Sequence, residues 1–350
     1  MRIGLVGAGN IAARYAAAIE REPALELAAV TDTAPGRAEA LAAAHGGVAY
    51  PSLDALLEDD AVDTVVNLTV PQAHAEVSAR ALEAGKHVHS EKPLALRHHE
   101  ARELVELAAR RGVRLSGAPS TLLGEAQQTL WKLVREGAVG RVRAVYAEAN
   151  WDRLERWHPD PRSLYAVGPL VDVGIYPLAI LTAMFGPVRR VRAYATTLEP
   201  GRALLDGTPF EPAAPDFVVA VLEHEQGVVT RLTASFYVGP CRQRGLELHG
   251  DTGSLWMPTW AEADSRVELQ ERGGDYRPVP LVREPFDGID WGRALVDLAE
   301  AVETGRPHRS SGEHAAHLVE VLNAVETAAA GAAVDVDSTF PRPEPMEWAR

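Results

Sequence analysis

The chain has 350 residues, of which 46% are hydrophobic, 24% charged and 6% aromatic. At roughly 150 residues per domain, that length asks for about two domains of ordinary composition. A net charge of −14 with no run of five basic residues leaves no positive footprint for nucleic acid or an anionic membrane surface. No uninterrupted apolar run nears the roughly 18 residues of a bilayer span. The lone Cys241 excludes an internal disulfide and a Cys-based zinc site. MRIGLVGAGN enters a strand pattern directly, without a leader pattern, so a cytoplasmic location is expected.

Up to residue 118, short β-branched runs alternate with Ala/Leu/Glu-rich stretches at helical spacing, as successive βαβ units of a parallel sheet do. Strands are predicted near Arg2–Val6, Leu25–Thr31, Thr64–Leu68, His87–His89 and Val113–Gly117. Helices are predicted near Ile11–Arg21, Arg37–His45, Leu53–Leu57, Gln72–Ala84 and Ala95–Arg110. After Ser120 the texture changes. A helix over Gly124–Glu136 leads into a strand over Arg141–Asn150, and strand-like runs follow at Val188–Thr196, Phe217–Glu223, Val228–Tyr237, Gly245–Gly250, Gly253–Met257 and Val267–Gln270. Strands joined by short turns predict a mostly antiparallel sheet. The Pro- and Gly-rich stretches Glu199–Pro215 and Arg272–Pro280 are expected to be surface loops. Helices near Trp291–Thr304 and Gly312–Ala330 are free to pack back on either domain, and Pro341–Pro345 is expected to follow the ordered body.

Gly7-Ala8-Gly9-Asn10-Ile11-Ala12 directly follows an apolar strand and opens a helix. In that setting Gly7 permits the tight turn, Gly9 lets backbone approach a pyrophosphate, and Ala12 allows close helix–strand packing. The N–H groups of Asn10, Ile11 and the helix start then face an anion. Asp32 ends the second strand about 20 residues later, where a carboxylate takes the hydroxyls of an adenosine ribose. It would also repel a 2′-phosphate, which favours NAD, with NADP left open because Thr33 and Arg37 are close in sequence. Asp32 equally suits the start of the turn Asp32–Gly36.

Of the 35 basic residues only Lys86, Lys92 and Lys132 are lysines. Lys92 lies in Glu91-Lys92-Pro93, between a strand and a helix, at the carboxyl edge where open α/β sheets bind ligands. Pro93 biases it away from helical geometry. An ammonium there suits a developing alkoxide, whereas a solvent-exposed helix start would need no lysine.

Four segments, Gly7–Ala12, Pro71-Gln72-Ala73-His74, Ala84-Gly85-Lys86-His87-Val88 and Glu91-Lys92-Pro93, together resemble the Gfo/Idh/MocA family of nicotinamide-dependent oxidoreductases. The likeness continues through Gly117-Ala118-Pro119, Gly137-Ala138-Val139-Gly140 and the Asp172–Tyr176 segment. It implies an α/β protein with a Rossmann doubly wound parallel sheet over residues 1–119 and, over residues 120–340, a second α/β domain with an open, mostly antiparallel sheet. It also implies cofactor contacts from Gly7, Gly9, Asn10, Ile11, Asp32, Thr69, His74, Glu91 and Lys92, and a homodimer or homotetramer. The implied substrate is a secondary alcohol or ketone of a sugar, inositol or related polyol.

Family members pair the lysine with an Asp and, four residues on, usually a His. Here the segment is Leu170-Val171-Asp172-Val173-Gly174-Ile175-Tyr176, with Tyr in the His place, which resembles the branch holding glucose–fructose oxidoreductase and the dihydrodiol and aldose dehydrogenases. Spacing of four puts Asp172 and Tyr176 on one helix face, and Pro177 is tolerable only in a first turn. A phenol near pKa 10 donates a proton easily, and a nearby ammonium lowers that value. The expected catalytic set is therefore Tyr176 for proton exchange, Lys92 for the oxyanion and Asp172 for orientation. Asp172 also suits a helix N-cap, and Tyr176 a domain interface.

Trp157 and His158 fall in the loop before Asp172 and are candidates for sugar contact, as is the face of Trp151, although a loop or dimer surface would use them equally. His87 and His89 point the same way on a strand but lack a third ligand, so no metal is expected. Two other readings stay open. One is glycoside cleavage or epimerisation by transient oxidation with retained cofactor, and the other is a non-catalytic NAD(P)-binding regulator.

Overall fold

The computed structural model describes residues 1–350. In chain order the elements are β1 (Arg2–Val6), α1 (Ala12–Arg21), β2 (Glu26–Thr31), α2 (Arg37–His45), β3 (Val48–Ala49), α3 (Leu53–Leu57), β4 (Thr64–Asn67), α4 (His74–Glu83), β5 (His87–Ser90), α5 (His98–Arg111) and β6 (Leu115–Gly117). They continue with α6 (Glu125–Arg135), β7 (Val142–Asn150), α7 (Arg162–Pro169), a π-helical turn at Leu170–Gly174, α8 (Ile175–Phe185), β8 (Val188–Thr196), β9 (Arg202–Ala203) and β10 (Pro209–Phe210). After these come β11 (Phe217–His224), β12 (Val229–Ser235), β13 (Gly245–Gly250), β14 (Gly253–Met257), β15 (Val267–Glu271), β16 (Arg277–Val279), α9 (Arg293–Thr304), α10 (Gly312–Ala329) and β17 (Val334–Asp335). Two compact units result: Met1–Ser120 with Asp290–Val319, and Thr121–Ile289 with Glu320–Arg350.

In the first unit six parallel strands run in the order β3-β2-β1-β4-β5-β6. Strand alternation sends Ile3, Leu5 and Val66 to one face, against Ala12, Tyr15, Ala16 and Ile19 of α1 and Leu295 of α9. Val6, Val65 and Val88 face the other way, against Leu82 of α4, Leu104 of α5 and Val319 of α10. Burial on both faces is why these strands read as continuous apolar runs. β1 lies between β2 and β4, so the strand order reverses beside it and opens a crevice at the carboxyl edge.

The second unit holds nine strands in the order β16-β15-β14-β13-β7-β12-β11-β8-β17. All pairs are antiparallel except β12 with β7, as the mostly antiparallel expectation requires. The stretch Arg162–Phe185 is long and apolar enough to cross a membrane, contrary to the expectation that no run comes near that length. Its most apolar window is 72% buried inside the protein, and Gly168 (φ 79°) breaks the helix. It serves as a core helix of this unit.

Two expected loops carry structure. Glu199–Pro215 contains the β9–β10 hairpin, and Arg272–Pro280 contains β16, an edge strand that tolerates Pro278. The tail also departs from expectation. Phe340 is 5% exposed and Ala349 is fully buried, and the Met346 amide donates to Gln128 Oε1 at 2.9 Å. The chain beyond Pro345 is thereby held on α6, because Trp348 covers the Arg283 guanidinium with 3.9 Å between its ring and Cζ.

Candidate functional site

At the carboxyl edge of the parallel sheet, Gly7 takes φ 100°, and a Cβ there would stand 2.7 Å from the Leu68 carbonyl oxygen. Only glycine fits that turn. Gly9, by contrast, faces open space, with nothing within 4 Å of an added Cβ. Asn10 is exposed and Ile11 half-buried, and no side chain caps the α1 N-terminus; the Ala12 amide donates to Gly9 O at 3.1 Å and the Arg14 amide to Ile11 O at 3.0 Å, which leaves the Ile11 and Ala13 amides for an anion. Asp32 stands directly after β2, as expected, and its carboxylate starts the foreseen turn. One oxygen accepts from Ala34 N at 2.7 Å, starting the turn, and the other accepts from Ala8 N at 2.6 Å, tying that turn to the glycine loop. Each carboxylate oxygen keeps a second lone pair for another donor.

Thr69 is folded back on its own strand. Its amide and hydroxyl both donate to Asn67 Oδ1, at 3.2 and 2.6 Å. His74 is 1% exposed, with Nδ1 2.6 Å from the Pro93 carbonyl and Nε2 3.0 Å from that of Thr69. Two acceptors on one ring favour the imidazolium, while burial lowers its pKa and the two carbonyl bonds oppose that shift. In either form the ring works from behind, joining the β4 and β5 turns.

Glu91 is also buried. Oε1 accepts from Tyr15 OH at 2.9 Å and Oε2 from the Lys92 amide at 3.0 Å. The α1 helix that begins at the glycine loop thus holds the Lys92 turn through Tyr15. Lys92 itself is half-buried, in a non-helical turn before a cis bond to Pro93. Sequence reasoning missed Tyr15, because an aromatic on the apolar face of a helix carries no separate signal.

In the second unit, Asp172 sits in the π-helical turn and Pro177 in the first turn of α8, where a proline is tolerated. Every residue of Gly168–Val188 is buried except Asp172 and Tyr176. A π turn is a frequent mark of a functional site, because it re-aims side chains inside a helix. The Tyr176 ring stacks on Trp260 at 4.9 Å and 28° between planes, and Trp260 Nε1 is fixed by donating to Glu148 O at 3.1 Å. Trp260, in the chain after β14, was not singled out by any sequence pattern.

Trp157 is 55% exposed and meets the His158 ring edge-on at 5.5 Å. His158 Nδ1 accepts from Asp160 N at 3.1 Å, which leaves Nε2 as the protonated nitrogen of the neutral ring. Their loop is anchored by Arg202, whose side chain is fully buried. Arg202 donates to Glu155 Oε1 at 2.6 Å, Asp216 Oδ2 at 2.6 Å and Tyr165 OH at 2.8 Å. The Tyr165 hydroxyl donates in turn to Glu155 Oε2 at 2.5 Å, and burial, then that bond, push its pKa up. No group of three or more His, Cys, Asp or Glu is placed to hold a metal ion.

Comparison with known proteins decides the lineage. Residues 1–118 match the model of the Gfo/Idh/MocA oxidoreductase family, NAD-binding Rossmann fold, and residues 127–256 match the Gfo/Idh/MocA C-terminal domain. The chain belongs to the Gfo/Idh/MocA family. It is 36% identical to a dTDP-3,4-didehydro-2,6-dideoxy-α-D-glucose 3-reductase of Streptomyces violaceoruber, over 94% of this chain and 95% of that one. Among solved structures, it resembles a 3-ketoreductase from Actinomadura kijaniata with a TM-score of 0.76 and 26% identity, covering 94% and 97% of the two chains. That enzyme has been crystallised with TDP-benzene and NADP, including as lysine-to-alanine and tyrosine-to-phenylalanine variants. Levoglucosan dehydrogenase, solved with NADH and L-sorbose, shares the fold with a TM-score of 0.85 at 21% identity, covering 97% and 99%.

This Gfo/Idh/MocA protein is therefore an NAD(P)-dependent oxidoreductase, which removes the regulator reading. Its own residues fit a dinucleotide. The space at Gly9 has room for a pyrophosphate that a Cβ would crowd, the Ile11 and Ala13 amides would serve it as donors, and the fixed Asp32 carboxylate would meet a ribose.

Proposed function

We propose that the protein transfers a hydride between a nicotinamide cofactor and a secondary alcohol or ketone carbon of a sugar or related polyol. The carrying observation is that Asp172 and Tyr176 alone escape burial in an otherwise buried helical run. An apolar core helix has no structural need for two polar side chains four residues apart on one open face. Support for a sugar comes from relatives named as dTDP-sugar 3-reductases, 1,5-anhydro-D-fructose reductase and D-xylose 1-dehydrogenase, at 26–36% identity.

When bound, the nicotinamide accepts or supplies the hydride. Gly7, Gly9, Asn10 and Ile11 hold the pyrophosphate, and Asp32 the adenosine ribose. Tyr176 exchanges the hydroxyl proton of the substrate, Lys92 stabilises the oxygen as charge develops on it, and Asp172 orients the sugar. Thr69, His74 and Glu91 act by shaping the turns that carry the cofactor edge, and Trp157 and His158 contact the substrate. The Asp32 carboxylate favours NAD over NADP, since a 2′-phosphate would meet a like charge. Two copies are proposed to associate through the outer face of the nine-stranded sheet, where Tyr194 is 60% and Val229 42% exposed.

A panel of sugars and keto-sugars, followed by NADH and NADPH absorbance, tests the reaction and the cofactor preference together. With an active substrate, Tyr176→Phe is expected to lower kcat by about 100-fold or more, the scale of general acid catalysis, with little change in KM. The phenyl ring would still stack on Trp260. Unchanged turnover with an unchanged pH profile would remove Tyr176 from the chemistry.

A further inference from the structure

Tyr176 and Trp260 are two members of a longer column. Trp151 continues it, with its ring 6.1 Å from that of Trp260 and 33° between planes. Most other ring pairs of this unit meet edge-on, such as Tyr165 with Phe236 at 72° and Tyr146 with His249 at 66°. The two ends of the column differ in access. Trp260 is 6% exposed, whereas Trp151 is 45% exposed.

The backbone fixes Trp151 in this place. The alternation that turns Val145, Ala147 and Ala149 of β7 inward carries on to residue 151, just past the strand end. Its amide donates to Ser235 O at 2.9 Å, and the next amide, of Asp152, donates to Val238 O at 3.0 Å. Asp152 is the one non-glycine residue with positive φ, at 58°, a conformation that aspartate tolerates better than most residues. Its carboxylate lies 3.5 Å from Arg153 Nη1 and 3.3 Å from Arg156 Nη1. Backbone held in a sparsely populated region by surrounding contacts is characteristic of ligand clamps. A large aromatic left open at the end of such a turn is pre-organised for stacking.

We propose that Trp151, backed by Trp260, is a second substrate subsite that stacks an aromatic ring carried on the anomeric substituent of the reacting sugar. A nucleobase of a nucleoside-diphosphate sugar and the ring of an aryl glycoside present the same face. The assignment rests on Tyr176 standing at the reacting carbon, because the column then leads from the reaction outward to Trp151. Trp151 and Trp260 would select substrates by what lies beyond the reacting ring.

Calorimetric titration of the full chain with two matched pairs tests the subsite without turnover. The pairs are phenyl against methyl β-D-glucopyranoside, which differ by a phenyl ring in place of a methyl group, and thymidine diphosphate against inorganic pyrophosphate, which differ by thymine with its deoxyribose. At least one ring-bearing probe should bind about 3- to 10-fold more tightly than its partner, the worth of one aromatic contact. That advantage should vanish in Trp151→Ala and persist in Trp151→Phe. Equal affinities within both pairs, no binding of either ring probe, or an advantage that survives Trp151→Ala would overturn the assignment. Turnover of a monocyclic keto-sugar by the unsubstituted protein reports separately on the oxidoreductase reading. If that turnover is absent while ring binding still depends on Trp151, the reaction assignment fails and Trp151 stands only as a ring-binding site.

Discussion

An added methyl group at Gly7 would press on the Leu68 carbonyl at 2.7 Å while the backbone holds φ 100°, whereas one at Gly9 would meet no atom of the protein. The two glycines are equivalent in the fingerprint but not in what they do. Gly7→Ala should therefore cost stability, about 1–3 kcal/mol for strain at such a position, and weaken the cofactor with it. Gly9→Ala should leave the melting temperature within about a degree and weaken NADH binding alone, because its Cβ enters the space proposed for the pyrophosphate. Thermal melts with NADH fluorescence titrations separate the two, and a Gly9→Ala protein with wild-type affinity would sink the assignment. At this scale the sequence is legible wherever a residue type has few other reasons to be present. Lys92 stands out through its position before Pro93, and Asp172 and Tyr176 through the resemblance of their segment to the family's second-domain motif. Tyr15 and Trp260 were not, since each meets its partner, Glu91 or Tyr176, only after chain segments more than 70 residues apart are brought together.

Single elements show where local composition misleads. Glu199–Pro215 has the prolines and glycines of a surface loop, yet the hairpin it forms inserts Arg202 into the interior of its unit. There one guanidinium serves Glu155 and Asp216, with the Tyr165 ring 4.7 Å from its Cζ. No period in the sequence reports a buried charge whose partners lie on other elements. Removing the cation would leave two buried carboxylates uncompensated, which typically costs about 3–5 kcal/mol. Arg202→Ala should lose stability on that scale in urea unfolding. The same variant should lower kcat/KM through KM, because Glu155 and Tyr165 anchor the loop that presents Trp157 and His158. A loss below about 1 kcal/mol, the range of an exposed pair, would show that the network is not buried in solution.

Across the whole molecule, strand and helix order was legible because both sheets bury regular apolar patterns, and predicted β1, α2, α3, β8, β13 and β14 keep their boundaries. What escaped were pieces too short to show a period, β3, β9, β10, β16 and β17, the eight-residue helix α7, and a tail whose burial depends on Trp348 finding Arg283. Buried histidines escaped as well, and they set how the fold responds to acid. His89, His224 and His314 are buried, and burial holds each pKa down to about 4. His224 illustrates the neutral state: Nδ1 lies 3.2 Å from the Gly186 carbonyl, to which it donates, and Nε2 lies 3.0 Å from the Thr230 hydroxyl. In the unfolded chain such rings titrate near 6.5, so between that value and about 4 the unfolded state binds more protons. The stability held by keeping them neutral is fully present above about pH 6.5 and is lost as pH falls toward 4, by about 1.4 kcal/mol per pH unit for each ring. His74, His87 and His308, also lowered by burial, act in the same direction. Carboxylates held low by partners, such as Asp63 beside Arg2, contribute only at the acid end, below that window. Urea midpoints should therefore fall steadily from pH 7 to pH 5, with uptake of at least about three protons on unfolding near the foot of that range. His224→Gln should reduce the slope by about one proton, and a midpoint constant from pH 7 to pH 5 would show that these rings are not held neutral by the fold.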